Sequence, residues 1–237
     1  MLSSRALTSH GHERTISTRC ANIAETSDHG LIAVSLFNGY YSKARLSDLI
    51  SWATTRFSQF HVPIYDAPHA YTLAASGVSP RKAVQKAREE GRKLNRRISS
   101  LSNSLPCKIR PPAILSWDAL STNTRYLELM IEVERAFCLD RRFRNDCFAM
   151  TDQVKSVATE PTARQEADRI VSVRYLLSEM PLLMDTAAIV GSKSSVFCYH
   201  RSYDFYERFF NNEYTIGPAD NQALLIVTFD EQQAAEN

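Results

Sequence analysis

Apolar and polar positions along the chain fall into two patterns. Short continuous apolar runs closed by turn residues predict buried strands, and apolar residues three and four apart predict amphipathic helices. Residues 30–37 (GLIAVSLF) are such a run and stop at Asn38-Gly39, a strand entering a tight turn. Residues 46–57 (LSDLISWATTRF) have helical spacing, with Ser47 placed to cap them. Residues 60–66 predict a second short strand, in which Pro63 favours an edge or a bulge. A cationic helix follows, then a loop with Pro106, Pro111 and Pro112, and a third strand at 113–116. Helices near 123–139 and 163–180 and β-rich runs at 195–199 and 223–229 complete the pattern. Strands and helices that alternate over short connections predict an α/β fold, a parallel sheet of doubly wound type flanked by helices. No internal repeat or linker divides it, so residues 29–231 are expected to form one domain. Residues 1–28 are hydroxyl-rich with a poor apolar face, which predicts a flexible extension rather than an import presequence; residues 232–237 are expected to be a flexible tail.

The net charge of +2 by itself predicts no nucleic-acid partner. Its distribution changes that picture. Residues 80–110 hold ten Lys or Arg against Glu89 and Glu90, a local charge of +8, so the remainder sums to −6. On a helical wheel Arg81, Lys82, Lys86, Arg88, Arg92, Lys93, Arg96 and Arg97 share about half the circumference. Ala83, Val84, Ala87, Leu94, Ile98 and Leu101 take a separate arc. One face would pack on the domain while the other presents a row of cations about 24 Å long. A solvated helix held by its own salt bridges is the alternative, but two acids cannot neutralise eight cations. The row predicts a phosphate backbone as partner, without separating RNA from DNA.

Other classes lose support. No apolar run approaches the roughly 20 residues of a membrane helix. Cys20, Cys107, Cys138, Cys147 and Cys198 lack CxxC spacing and the six histidines lack HExxH spacing, so neither a disulfide framework nor a metal site is expected. P-loop, GxGxxG and GxSxG patterns are missing from the sequence. Ser35 lies near the end of the first strand, where open α/β sheets bind ligands, although a serine there is more often structural than nucleophilic.

The ordered set of motifs resembles the cyclodipeptide synthase family over residues 31–210. The set comprises S-x-x-N-G-Y-Y-S from Ser35 to Ser42, then Asp66 with Tyr71-Thr72-Leu-Ala-Ala-Ser-Gly77, and Asn95-Arg96-Arg97 at the end of the basic helix. Tyr175-x-x-x-Glu179-x-Pro181 and Tyr199-His200 close it. Asn38, Tyr199 and His200 resemble the branch that carries Asn, Tyr and His at these positions; Gly39 departs from the more usual Ser. The resemblance implies a Rossmann-like fold similar to the catalytic domain of class I tyrosyl- and tryptophanyl-tRNA synthetases. The chain lacks their HIGH motif, and Gly191-Ser-Lys-Ser-Ser195 is only a faint echo of KMSKS, better read as a loop. That fits a substrate that arrives activated, with no ATP, cofactor or metal.

The activity so implied joins amino acids from two aminoacyl-tRNAs into a 2,5-diketopiperazine, through an aminoacyl-enzyme and a dipeptidyl-enzyme on Ser35. Glu179, one helical turn from Tyr175, would hold the ammonium of the first amino acid, and Tyr175 would donate to the acyl group or to Glu179. Asn38 would hold the aminoacyl moiety, and Tyr199 and His200 would relay a proton during cyclisation. Leu31, Ala33, Leu182 and Phe197 resemble the family's first side-chain pocket, although core packing explains them almost as well. No residue is assigned as the base for Ser35. A monomer in the cytoplasm is expected. A serine hydrolase and a non-catalytic tRNA-binding protein are the rival readings: the first leaves the basic helix unexplained, the second leaves Ser35, Tyr175 and Glu179 unexplained.

Overall fold

A computed structural model of the chain describes residues 11–103, 112–155 and 163–229. Its strands are β1 (His12–Thr15), β2 (His29–Ile32), β3 (Gln59–Ile64), β4 (Ala113–Ser116), β5 (Ser195–Tyr199) and β6 (Gln222–Thr228). They form one sheet in the order β1-β6-β5-β2-β3-β4. All neighbours are parallel except the pair of β1 and β6. From β2 the chain steps outward through β3 to β4, then returns to the other side of β2 for β5 and β6. The order therefore reverses between β2 and β5, the point where a doubly wound sheet opens a crevice at its carboxyl ends.

The helices among the described residues are α1 (Thr18–Thr26), α2 (Lys43–Arg56), α3 (Asp66–Ala75), α4 (Pro80–Asn103), α5 (Trp117–Leu120), α6 (Thr124–Leu139), α7 (Arg141–Lys155), α8 (Ala163–Val190) and α9 (Asp204–Phe210). The inner strands are buried almost throughout, because helices cover both faces. α1 and α8 pack on β5 and β6, α2 and α4 on β3, and α7 packs on α8, α6 and α9 away from the sheet.

Several boundaries differ from the sequence expectation. The first strand ends at Ile32, not Phe37. Ala33 N still donates to Cys198 O at 3.0 Å, but the Tyr41 hydroxyl takes the Ala33 carbonyl at 2.9 Å and draws the chain out of the ladder. α2 begins three residues early, capped by Ser42, whose hydroxyl accepts from Arg45 N at 3.2 Å. Pro63 lies in an inner strand, yet pairing with β2 stops at His61, so only β4 flanks it and the ladder keeps its bonds. Residues 191–194 are a loop, and Gly191 leaves α8 at φ +74°. The expected extension 1–28 contains β1 and α1. Ser17 caps α1, accepting from Cys20 N at 3.2 Å, and Cys20 and Ala24 are buried. The flexible tail expected at 232–237 lies outside the described residues.

Two helices carry features that set up the site. α4 buries Ala83, Ala87, Gly91, Leu94 and Ile98, a single stripe at three- and four-residue spacing. Val84 lies off that stripe and is exposed. A side chain at Gly91 would come within 2.5 Å of Asp66 Cβ, so glycine permits α3 and α4 to touch. α8 contains Pro181 and is interrupted at Asp185 (φ −158°, ψ 64°). Asp185 caps the turn that follows, accepting from Ala188 N at 3.0 Å, and also accepts from Arg125 Nη2 at 3.2 Å.

Candidate active site

The crevice at the reversal point holds a cavity of about 140 Å³. Ser35, Leu36 and Asn38 enter it from the loop after β2, and Tyr199 enters from the end of β5. The Ser35 hydroxyl and the Tyr199 phenol hydrogen-bond at 3.0 Å. Two adjacent parallel strands thus bring together residues 164 positions apart in sequence. α8 supplies Ser172, Tyr175, Leu176 and Glu179 at the three- and four-residue spacing of one helix face. α3 adds His69 and Thr72, α7 adds Met150 and Thr151, and Tyr203 and Tyr206 close the wall.

Glu179 is the only carboxylate that lines the cavity among the described residues. Burial pushes its pKa up to about 7, and the hydrogen bond with Tyr175 offsets part of that rise. Around neutral pH the group therefore exchanges a proton readily and favours a cation beside it. Burial, with the charge of Glu179 next, holds the Tyr175 and Tyr199 phenols well above the usual tyrosine range. Both remain neutral donors. Among the described residues no histidine or carboxylate hydrogen-bonds Ser35, so the Tyr199 hydroxyl is its polar partner.

Asn38 folds its loop as well as facing the cavity. Its Oδ1 accepts from Tyr40 N at 3.0 Å and its carbonyl accepts from Tyr41 N at 3.2 Å, which leaves the side-chain NH2 free of the turn. A side chain at Gly39 would meet nothing within 4 Å, so glycine here has no packing cause. Phe37, between Leu36 and Asn38, has φ +57° and stacks on His69 with ring centroids 4.9 Å apart.

Other expected site residues fall elsewhere. His200 does not line the Ser35 cavity. It sits behind Tyr199, stacked on Tyr40 at 4.3 Å, with Nδ1 2.9 Å from the Tyr41 hydroxyl. That hydroxyl already donates to Ala33 O, so the imidazole must donate from Nδ1. Burial, reinforced by Arg201, lowers the pKa of His200 to about 4 and keeps it neutral. His200 and Tyr41 therefore clamp the loop that carries Ser35, and Tyr41 is a residue that sequence reasoning missed. Leu31, Leu182 and Phe197 are core side chains with at most 1% exposure, and Ala33 lies by Tyr41 and His200; none of the four lines the cavity. Their apolar character reflects the sheet core, which the motif context could not separate from a pocket. His69, Thr72, Tyr203 and Tyr206 were also missed. The tyrosine-to-glutamate spacing on α8, Tyr175 to Glu179, was visible in sequence, whereas the convergence of these other walls required the tertiary fold.

The cation row divides in two. Arg88 turns inward, donating from Nη1 to Asp66 Oδ2 at 3.2 Å and from Nη2 to Asp118 Oδ1 at 3.1 Å, and so ties α4 to α3 and α5. It is a structural residue. Lys93 pairs with Glu89 at 3.1 Å and Glu90 at 3.4 Å, and Arg97 meets Glu90 at 3.6 Å. Arg81, Lys82, Lys86, Arg92 and Arg96 are exposed and form no ion pair among the described residues. At the far end Lys93, Arg96, Arg97 and Ser100 share a groove of about 350 Å³ with Lys43, the first residue of α2. Lys43 extends the basic surface beyond α4.

The model of the family described as cyclodipeptide synthase matches residues 12–229 of the chain. The chain belongs to the cyclodipeptide synthase family. As a cyclodipeptide synthase it is an aminoacyltransferase. A cyclo(L-leucyl-L-leucyl) synthase of Photorhabdus laumondii is 29% identical over 89% of this chain and 93% of its own. A solved Mycobacterium tuberculosis protein, whose structure relates cyclodipeptide synthetases to type I tRNA synthetases, superposes with a TM-score of 0.82 at 28% identity. That superposition covers 97% of this chain and 100% of the relative. A more distant cyclodipeptide synthase from Candidatus Glomeribacter gigasporarum, solved bound to Phe-tRNAPhe, shares the fold at TM-score 0.53 and 15% identity, covering 88% of this chain and 91% of its own. The Rossmann-like fold of this synthase is thus that of its family, and β1, absent from the sequence expectation, lies within the matched residues.

Proposed function

We propose that the chain makes a cyclic dipeptide from two aminoacyl-tRNAs through successive esters on Ser35. The observation that carries this reading is a serine hydroxyl bonded to a neutral phenol in one cavity with a buried carboxylate that titrates near neutrality.

The aminoacyl ester of a tRNA needs no further activation. Its ammonium pairs with Glu179, which sets the ester carbonyl beside Ser35. Ser35 Oγ attacks, and the ester oxygen of the tRNA leaves with the serine proton, passed through the Tyr199 hydroxyl. Glu179 then takes one proton from the bound ammonium. The freed amine attacks the ester of a second aminoacyl-tRNA, whose terminal oxygen leaves with the second proton, and a dipeptide stays on Ser35. The free amine of the added residue attacks the serine ester, the ring closes, and Ser35 recovers its proton. Each step exchanges one acyl bond for another, so no ATP enters. Tyr175 holds Glu179 in place, and the Asn38 NH2 is free to bind the acyl group. The exposed cations of α4, with Lys43, supply the phosphate-binding surface, as a tRNA substrate requires.

A hydrolase of the Ser-His-acid type would need a histidine bonded to Ser35, and among the described residues no histidine hydrogen-bonds it. The test is labelled aminoacyl-tRNA with wild type and Ser35→Ala. Wild type should retain label covalently and release a diketopiperazine, and Ser35→Ala should do neither while keeping its melting temperature. Free amino acid as the only wild-type product would favour the hydrolase.

A further inference from the structure

The ring of Phe37 stands where hydrophobic burial does not explain it. It is two residues past Ser35 and 52% exposed, whereas Leu36 beside it is 6% exposed. Its φ of +57° lies in the left-handed region that a bulky side chain rarely occupies. Such strain persists where the surrounding structure gains by it. One face of the ring rests on the His69 imidazole, with centroids 4.9 Å apart and planes 25° apart. His69 is 8% exposed, lines the cavity, and meets Tyr175 edge-on at 5.2 Å. Burial lowers its pKa to about 4, so the brace beneath Phe37 is uncharged. The result is a fixed aromatic surface at the mouth of the cavity, open on its outer side.

The chemistry of the substrate says what would lie there. The amino acid is esterified to the ribose of the 3′-terminal adenosine. When its carbonyl meets Ser35 Oγ, the adenine is one ribose away, and two residues of chain span no more than about 7 Å. Phe37 lies against α3, and α3 packs on α4, so the strand that follows the cation row reaches the cavity from this side. Proteins hold single-stranded nucleic acid in this manner, with cations along the backbone and an aromatic face under the base.

We propose that the exposed face of Phe37, braced by His69, is the stacking platform for the 3′-terminal adenine of the aminoacyl-tRNA substrates. This rests on the reaction proposed above. Stacking recognises the base without regard to the attached amino acid, so the platform serves both substrates alike.

The test compares wild type with Phe37→Gly and Phe37→Trp. Glycine removes the ring and relaxes the positive φ, so the melting temperature should hold or rise, whereas a ring needed only for the fold would lower it. With aminoacyl-tRNA, Phe37→Gly should raise KM on the order of tenfold with a smaller change in kcat, and Phe37→Trp should restore it. An amino-acid thioester, which carries no nucleoside, should label Ser35 at the same rate in wild type and Phe37→Gly. An unchanged KM in Phe37→Gly overturns the proposal, and so does an equal loss with the thioester, which would make Phe37 a wall of the cavity. Wild type that takes no label from either donor would overturn the reaction as well, and differs from a labelled wild type with unchanged KM.

Discussion

Glu179 shows how a single residue can oppose the fold that holds it. Its pKa rises from an ordinary 4.5 to about 7, so between those values the native state keeps a proton that the unfolded chain has released. Stability therefore falls as pH rises through this window and stays lower above it, by about 3 kcal/mol for a buried group. Glutamine keeps a partner for Tyr175 and removes the buried charge. Glu179→Gln should melt higher than wild type at pH 8 and match it near pH 4. Its turnover should fall by at least about a hundredfold, because an amide neither pairs with an ammonium nor accepts its proton. Asp168→Asn on the same helix should stay near wild type in both respects. If Glu179→Gln proves less stable than wild type at pH 8, the carboxylate is not buried in the cavity wall. Wild-type activity should climb as pH passes about 7, while the amine-delivering form of Glu179 accumulates.

At the scale of the element, α4 carries two jobs on one set of cations. Arg96 and Arg97 border the groove with Lys43, whereas Arg88 bridges Asp66 and Asp118. Replacing Arg96 and Arg97 together with Ala should weaken binding of every aminoacyl-tRNA. The salt dependence should become shallower by about one unit for each phosphate that the variant no longer neutralises. Product identity should not change, and the buried stripe through Leu94 and Ile98 should keep the helix folded. Arg88→Ala should do the reverse, lowering the melting temperature with little effect on the salt slope. Equal salt slopes for wild type and the double variant would move the tRNA surface off α4. The sequence showed the row but not its division, because a wheel gives direction around one helix and says nothing of Asp66 or Asp118 beyond it. The pattern of elements was legible for the same reason in reverse: β4 and β5 occupy the residues of their short β-rich runs, because a short run of this kind between loops marks one strand whether it is half-exposed like β4 or buried like β5. β1 escaped notice because a four-residue edge strand with an exposed face has no apolar rhythm to detect.

That edge strand matters to the whole molecule. β1 covers the outer side of β6, and Trp52 Nε1 donates to Glu13 Oε1 at 2.9 Å to hold it there. A chain beginning at residue 29 would lack β1 and α1 and leave β6, buried along six of its seven residues, as an open edge. It should melt on the order of 10 °C lower and form concentration-dependent oligomers in size-exclusion chromatography. A monodisperse product of unchanged stability would show that β6 needs no cover. The site itself was legible in its chemistry but not in its walls. Ser35, Asn38, Tyr175, Glu179 and Tyr199 do meet, whereas the side chains that shape the cavity come from segments whose convergence no local pattern reveals. Among these walls α7 stands apart, since Met150 and Thr151 ride on a helix packed against other helices and not against the sheet. Part of the wall is therefore carried by a segment that bears none of the proposed reacting groups. On the reaction proposed above, a lineage under selection for a new product would have in α7 a partition that substitution can redraw without touching Ser35 or Tyr199.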